Sequence, residues 1–104
     1  MIRATLTIDV RPGHEPAFEC AWRAVAAEVR GTPGHLRQVL LRDPAAPTRY
    51  VVSSDWESAD AFRAFERSPA QEALTAPLRA LRTSASMTVH DLLVHLEGEP
   101  CPHE

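Results

Sequence analysis

The chain predicts an α+β fold in which four antiparallel strands carry helices on one face. Three observations predict it. Residues 2–10 alternate apolar and polar side chains without a break, a helical stripe follows at once, and residues 35–42 and 49–56 are two strand-length runs joined by a turn too short for a crossover. One more helical region and a last strand complete the order β-α-β-β-α-β, the ferredoxin-like, split βαβ arrangement.

The first strand sets Ile2, Ala4, Leu6, Ile8 and Val10 against Arg3, Thr5, Thr7 and Asp9, giving one strongly apolar face. Arg11-Pro12-Gly13 breaks it. From about Glu15 to Arg30, Phe18, Ala21, Trp22, Val25, Ala26 and Val29 recur at three- and four-residue spacing, and Pro16 suits the first helical turn. Gly31 and Pro33-Gly34 end that helix.

The second strand, 35–42, carries Leu36, Val39, Leu40 and Leu41 and is expected to be buried on much of both faces. Asp43-Pro44-Ala45-Ala46-Pro47 reads as a stiff loop whose two prolines stop the ladder. The third strand then runs from Arg49 to Trp56. Ser58 caps a helix containing Ala61, Phe62 and Phe65, and Ser68-Pro69-Ala70-Gln71 starts another as a capping box. Pro77 predicts a kink or break near Ala76. The last strand is expected over 84–96, with apolar side chains on both faces.

One domain over residues 1–97, followed by a polar tail at 98–104, fits a 104-residue chain with 44% hydrophobic and 24% charged residues. The net charge of −3 is spread along the chain, and no basic run implies nucleic acid or an anionic membrane surface. All eleven basic residues are arginine, a bias of codon usage more than of function. No apolar stretch approaches the roughly 18 residues that span a bilayer. No signal peptide is visible, so the cytoplasm is the expected location. Cys20 and Cys101 are expected to be free thiols there.

Helices on one face leave the other face of the sheet to be covered. If the second and fourth strands are apolar on both sides, a second copy of the chain is the simplest cover, so a homodimer is expected.

Several stretches carry a resemblance. Pro12-Gly13 follows the first strand, Gly34-His35-Leu36 opens the second, and Arg42-Asp43-Pro44 closes it. Asp55-Trp56-Glu57-Ser58-Ala59-Asp60-Ala61-Phe62 is followed by Ser68-Pro69. Over about residues 2–96 the chain resembles the antibiotic biosynthesis monooxygenase domains of the dimeric α+β barrel superfamily. The resemblance implies a cofactor-independent oxygenase, using neither metal nor flavin, with a small aromatic polyketide- or quinol-type ligand and dioxygen as partners. In that scheme a substrate carbanion passes an electron to dioxygen and a quinone results. The chain departs from the family at three points. Val52 stands where relatives place an asparagine, and the sequence holds no asparagine at all. Phe62 stands where the oxygenases often carry a hydroxylated ring. Residues 58–82 contain no histidine, which argues against haem degradation. These departures motivate the alternative of a non-catalytic ligand-binding or accessory protein, or a cyclase, in an aromatic polyketide pathway.

A pocket is expected beside Trp56. Strand parity puts Tyr50, Val52 and Ser54 on the same face, so Trp56, Tyr50, Ser54 and Phe62 are the candidate substrate-binding residues. Each has a plainer role as core or surface. His35 and His90 are the candidate general bases, because an imidazole titrates near neutrality, and His95 is a third strand histidine. His90 and His95 differ by five and point to opposite faces. Arg79 and Arg82 lie where the resemblance places a cation that steadies an oxyanion, and Arg82 joins the histidines as a catalytic candidate. The histidines and cysteines show no metal-ligand spacing, and no glycine-rich loop suggests a nucleotide cofactor. Ser53 and Ser54 lack the context of a hydrolytic nucleophile.

Overall fold

The computed structural model describes residues 1–98. In chain order it has β1 (Ile2–Val10), α1 (Glu15–Val29), β2 (His35–Asp43), β3 (Ala46–Trp56), α2 (Ala59–Glu66), α3 (Pro69–Leu81) and β4 (Arg82–Asp91). The strands form one antiparallel sheet of order β2-β3-β1-β4. The predicted tail, with Cys101 and His103, lies outside the described residues apart from Gly98. No helix among the described residues is long and apolar enough to cross a membrane. Cys20 is exposed and unbridged.

The alternation in β1 does what it predicts. Ile2, Ala4, Ile8 and Val10 are buried beneath the helices, and two clusters share the core. One joins Ile2, Ala4 and Trp56 to Val25, Val29 and Phe62, while the other joins Ile8, Val10 and Tyr50 to Phe18. Both serine caps form, Ser58 Oγ accepting from the Ala61 N–H at 3.1 Å and Ser68 Oγ from the Gln71 N–H at 2.9 Å, but the return half of the expected capping box does not, because the Ser68 N–H donates to the Phe65 carbonyl at 3.1 Å.

Three boundaries differ from expectation. β3 begins at Ala46, not Arg49, because Asp43 pairs with Ala46 across a tight turn in which Asp43 Oδ1 accepts from the Ala45 N–H at 2.8 Å. Pro47 is tolerated because the β2–β3 register breaks between Arg42 and Asp43, so the ladder asks no N–H of it. α3 runs through Pro77 without a break. In the interrupted turn the Arg79 guanidinium folds back, donating to the Glu72 carbonyl at 2.9 Å and to Thr75 Oγ1 at 2.6 Å. β4 ends at Asp91, not Leu96, and residues 92–98 continue outside the sheet.

The shorter β4 removes the premise that it is apolar on both faces. Within 82–91 it alternates: Met87 and Val89 share the helix side with Leu6 and Ala4, while Ser84, Ser86, Thr88 and His90 share the open face with Asp9, Thr7, Thr5 and Arg3. On β2 the open face is apolar only at Val39 and Leu41, opposite Ser53 and Val51. The exposed apolar surface therefore comprises Leu36 at the β2 bulge, Val39 and Leu41 on the open face of β2, Met87 and Val89 on edge strand β4, and Leu93, Val94 and Leu96, which are 70–86% exposed after β4. An ion triad centred on buried Asp55, with both arginines partly exposed, occupies the open face. Asp55, 1% exposed, accepts from Arg3 Nε at 2.7 Å and Nη2 at 2.9 Å and from Arg37 Nη1 at 2.5 Å.

Candidate functional site

Trp56 ends β3 on the helix side of the sheet, and the space around it is the site. Its indole is 1% exposed, packs against Phe62 at 5.7 Å and Phe65 at 5.1 Å between ring centres, and donates from Nε1 to Ser54 Oγ at 3.1 Å. That bond satisfies the one polar atom of a buried tryptophan and leaves the Ser54 hydroxyl proton free to donate elsewhere. A cavity of about 330 Å³ opens between this aromatic group and the helices. Its floor is Ala4, Leu6, Ile8, Val52 and Ser54; Trp22, Val25 and Val29 of α1 wall one side, and Phe62 and Phe65 of α2 and Leu78 of α3 the other. The volume lies at the low end of small-molecule sites, and the lining is apolar with few polar groups, as such sites are.

The polar groups are Ser54, Gln38, Gln71, Thr75, Glu66 and Arg82. Gln38 pairs with Ser54 across β2 and β3 and donates from Nε2 to the Ala26 carbonyl of α1 at 2.8 Å, which fixes its amide plane. Arg82 opens β4 opposite Val10, at a shift in register. It makes no ion pair with a described residue, so its cation is available to a ligand.

Of the sequence candidates, Trp56, Ser54, Phe62 and Arg82 line this cavity. Tyr50 does not. It is buried against Phe18 at 4.8 Å and its hydroxyl donates to Glu19 Oε2 at 2.6 Å, in a separate groove with Arg42. Burial, and then that carboxylate, push its pKa up, so it is a committed phenol and no ligand donor. His90 pairs with Arg3 on the open face, exposed, on the far side of the sheet from the cavity. Strand parity puts it there, since Met87 faces the cavity three residues away. His95 lies beyond β4, where its Nε2 meets Glu97 Oε1 at 2.8 Å.

His35 is closer but stands behind the tryptophan. A bulge at Leu36, where the register shifts between His35 and Arg37, turns His35 to the same face as Trp56. The imidazole meets the indole edge-on at 5.0 Å. It does not line the cavity, and its Nε2 is buried without a hydrogen-bond partner. Desolvation lowers its pKa, opposed by the negative charge of Asp55 and a backbone hydrogen bond at Arg37. The ring is therefore neutral at pH 7 and supports the tryptophan's orientation.

Sequence reading missed Gln38, Trp22, Gln71 and Thr75. Trp22 was visible in the α1 stripe, and Gln38 would follow from pairing Ser54 across the short 43–46 turn. Gln71 and Thr75 lie one turn apart on α3, on a face that only packing identifies.

A four-stranded ferredoxin-like sheet with an apolar, aromatic-walled cavity between its strands and helices defines the class: a ferredoxin-like α+β domain with a candidate small-ligand site. The family model for antibiotic biosynthesis monooxygenases matches residues 1–76, and the chain belongs to that family. It is 30% identical over 104 residues to the 42.8 kDa protein in the whiE locus of Streptomyces coelicolor, covering 99% of this chain but only 26% of that protein. It is 38% identical over 63 residues to a mycobilin-producing heme oxygenase of Mycobacterium tuberculosis, over 61% of this chain and 60% of that one. In the present chain the helices after Trp56 carry no histidine. The crystal structure of SnoaB, a cofactor-independent oxygenase from Streptomyces nogalater, superposes with a TM-score of 0.81 at 26% identity, covering 93% of this chain and 97% of that one.

Proposed function

We propose that the protein is a cofactor-independent monooxygenase acting on an aromatic polyketide- or quinol-type phenol in secondary metabolism. The observation that carries this reading is the cavity itself: an aromatic wall of Trp56, Phe62 and Phe65, the phenyl rings tilted 53° and 32° to the indole, with one cation on its lining, Arg82, that pairs with no described residue. The wall suits a planar ring system, and the guanidinium suits the oxygen of its phenolate or enolate. Family membership and the likeness to SnoaB support the same reading.

In this scheme the anthrone-type substrate loses a ring proton, and the enolate oxygen is held by Arg82. The carbanion gives one electron to dioxygen, the resulting radical and superoxide combine at carbon, and the peroxide loses water to leave the quinone. One dioxygen is consumed, one oxygen atom enters the product and the other leaves as water. Ser54 and Gln38 offer hydrogen bonds to a second substrate oxygen. Glu66 is the cavity's carboxylate and its candidate proton acceptor, in place of the histidines. Aerobic and anaerobic incubation of purified protein with an anthrone tests the reading. Oxygen-dependent quinone formation above the spontaneous rate is expected, and its absence would sink the proposal.

A second reading is favoured by Val52 and Phe62, apolar lining residues at two positions where the family resemblance leads one to expect hydrogen-bonding side chains. A non-catalytic ligand carrier or a cyclase needs only the shaped apolar space. It predicts that aromatic phenols quench Trp56 fluorescence with no oxygen uptake.

The working unit is proposed to be a homodimer, closed over Leu36, Val39 and Leu41 and over the apolar segment after β4. The open face mixes apolar Val39 and Leu41 with polar Thr5, Thr7 and Ser53, and the Arg3–Asp55–Arg37 triad lies toward one end of it, where an interface has its polar rim.

A further inference from the structure

The cavity beside Trp56 has few polar groups, and the fold uses or leaves loose several of them. Thr75 Oγ1 donates to the Gln71 carbonyl at 2.9 Å and accepts from Arg79 Nη1 at 2.6 Å. Glu66 is exposed and solvated. The Gln71 side-chain amide bonds to no described residue, so nothing fixes its orientation.

Ser54 and Gln38 differ from these. They stand directly opposite one another on β3 and β2, which places their Cβ atoms about 5 Å apart on one face of the sheet. Each is held by one hydrogen bond and keeps one group unused. Ser54 Oγ accepts from Trp56 Nε1 at 3.1 Å, so its own proton is left for another acceptor. Gln38 Nε2 donates to the Ala26 carbonyl at 2.8 Å, and since only the nitrogen of an amide can meet a carbonyl, this also fixes which atom is Oε1. Oε1 accepts from no described residue. It is not sealed off either, because among the described side chains only His35 Nε2 is buried without a partner. One donor and one acceptor, both neutral, therefore sit side by side on the lining. The Arg82 cation is elsewhere: Ser54 pairs with Ala4, whereas Arg82 pairs with Val10, further along β1.

We propose that Ser54 and Gln38 form a specificity pair, which selects a ring carrying a free, neutral hydroxyl over the same ring bearing an ether, a ketone or no oxygen. This rests on the reading of the cavity as a phenol site and deepens it. A hydroxyl satisfies both members: its oxygen accepts from the Ser54 O–H, and its proton goes to Gln38 Oε1. An ether or a ketone accepts from Ser54 but brings no proton, and sets its oxygen against Oε1 in an apolar surround. A phenolate fails for the same reason and is matched by Arg82 instead. The substrate class narrows to rings with two oxygens, one that ionises in the reaction and one that stays protonated.

Equilibrium dialysis of the purified protein against 2-naphthol, 2-methoxynaphthalene and naphthalene tests it. 2-Naphthol is expected to bind about tenfold more tightly than its methyl ether. Gln38→Leu should remove that preference and leave naphthalene binding unchanged, and Gln38→Met, which keeps the length of the side chain, should do the same. A purely structural role for Gln38, tying β2 to α1, would instead weaken all three probes together in both variants, and that result would overturn the pair. So would equal binding of 2-naphthol and the ether by the wild type, or a preference that survives both substitutions; the cavity reading stands in either case. If the wild type binds none of the probes, the pair and the cavity reading fall together. If the preference depends on Gln38 but no quinone forms from an anthrone, the pair stands and the monooxygenase reading falls.

Discussion

At the scale of single residues, the site turns on which side chains are spent and which are free. Tyr50 gives its hydroxyl to Glu19, and Trp56 gives its N–H to Ser54, so neither has a donor left for a ligand. Arg82 is unspent. Arg82→Gln is expected to lower kcat about a hundredfold with a small change in KM, since the cation matters most when charge develops on the substrate oxygen. Steady-state oxygen consumption checks it. His35 gives a prediction of opposite character. Its folded-state pKa lies below the unfolded value near 6.5, so the unfolded chain binds the extra proton first. The stability that comes from keeping it neutral is fully present above about pH 6.5 and is lost as pH falls below that. Denaturant midpoints of wild type and His35→Gln, measured from pH 8 to pH 5, should converge as pH drops. Asp55 follows the other rule. Hydrogen bonds from Arg3, against the cost of burial and with help from Arg37, hold its pKa below the usual carboxylate value. Its contribution is present above about pH 4 and is lost as pH falls further toward its folded value. Asp55→Asn should cost about 2 kcal/mol at pH 7 and flatten the acid limb of a urea-stability profile.

The elements show how much a pattern can say. β1, α1 and both serine caps are legible because each depends on local chemistry: period two, period 3.6, or one hydroxyl reaching one N–H. Ser68→Ala should accordingly cost about 1 kcal/mol in thermal unfolding, with little effect on ligand binding. What pattern does not give is pairing. Pro47 argues against a strand until the register break that excuses it is known, and Pro77 argues for a break until Arg79 is seen folding back over the turn. The pattern carries β4 five residues past its end because Leu92, Leu93, Val94 and Leu96 continue an apolar run after the last strand partner, Ile2, has been used up. The same gap limited the site. Trp56, Ser54 and Phe62 could be placed from parity and spacing, but Gln38 needed the cross-strand register. His35 needed the bulge at Leu36, and His90 needed the register of β4 on β1, which pairs it with Arg3 on the open face. The position of Arg82 on the lining came from helix–sheet packing, which no local signal encodes.

For the whole molecule, the exposed Leu36, Val39, Leu41, Leu93, Val94 and Leu96 make association the first property to measure. Light scattering at micromolar concentration should return twice the 11.5 kDa chain mass, and Leu41→Asp should return a single chain. A wild-type mass of one chain would remove the homodimer.

The strand order has a kinetic consequence as well. β1 lies inside the sheet, but its two neighbours, β3 and β4, come from residues 46–56 and 82–91. During synthesis β1 leaves the ribosome well before β4, its second neighbour in the sheet. At typical elongation rates that is about 4–16 s for some 80 residues, during which one edge of β1 stays open. Pairings this distant in sequence also close slowly once the chain is complete. Yield in the cell should therefore depend on how the nascent β1 is shielded, and slower translation would lengthen its exposure without changing the final structure.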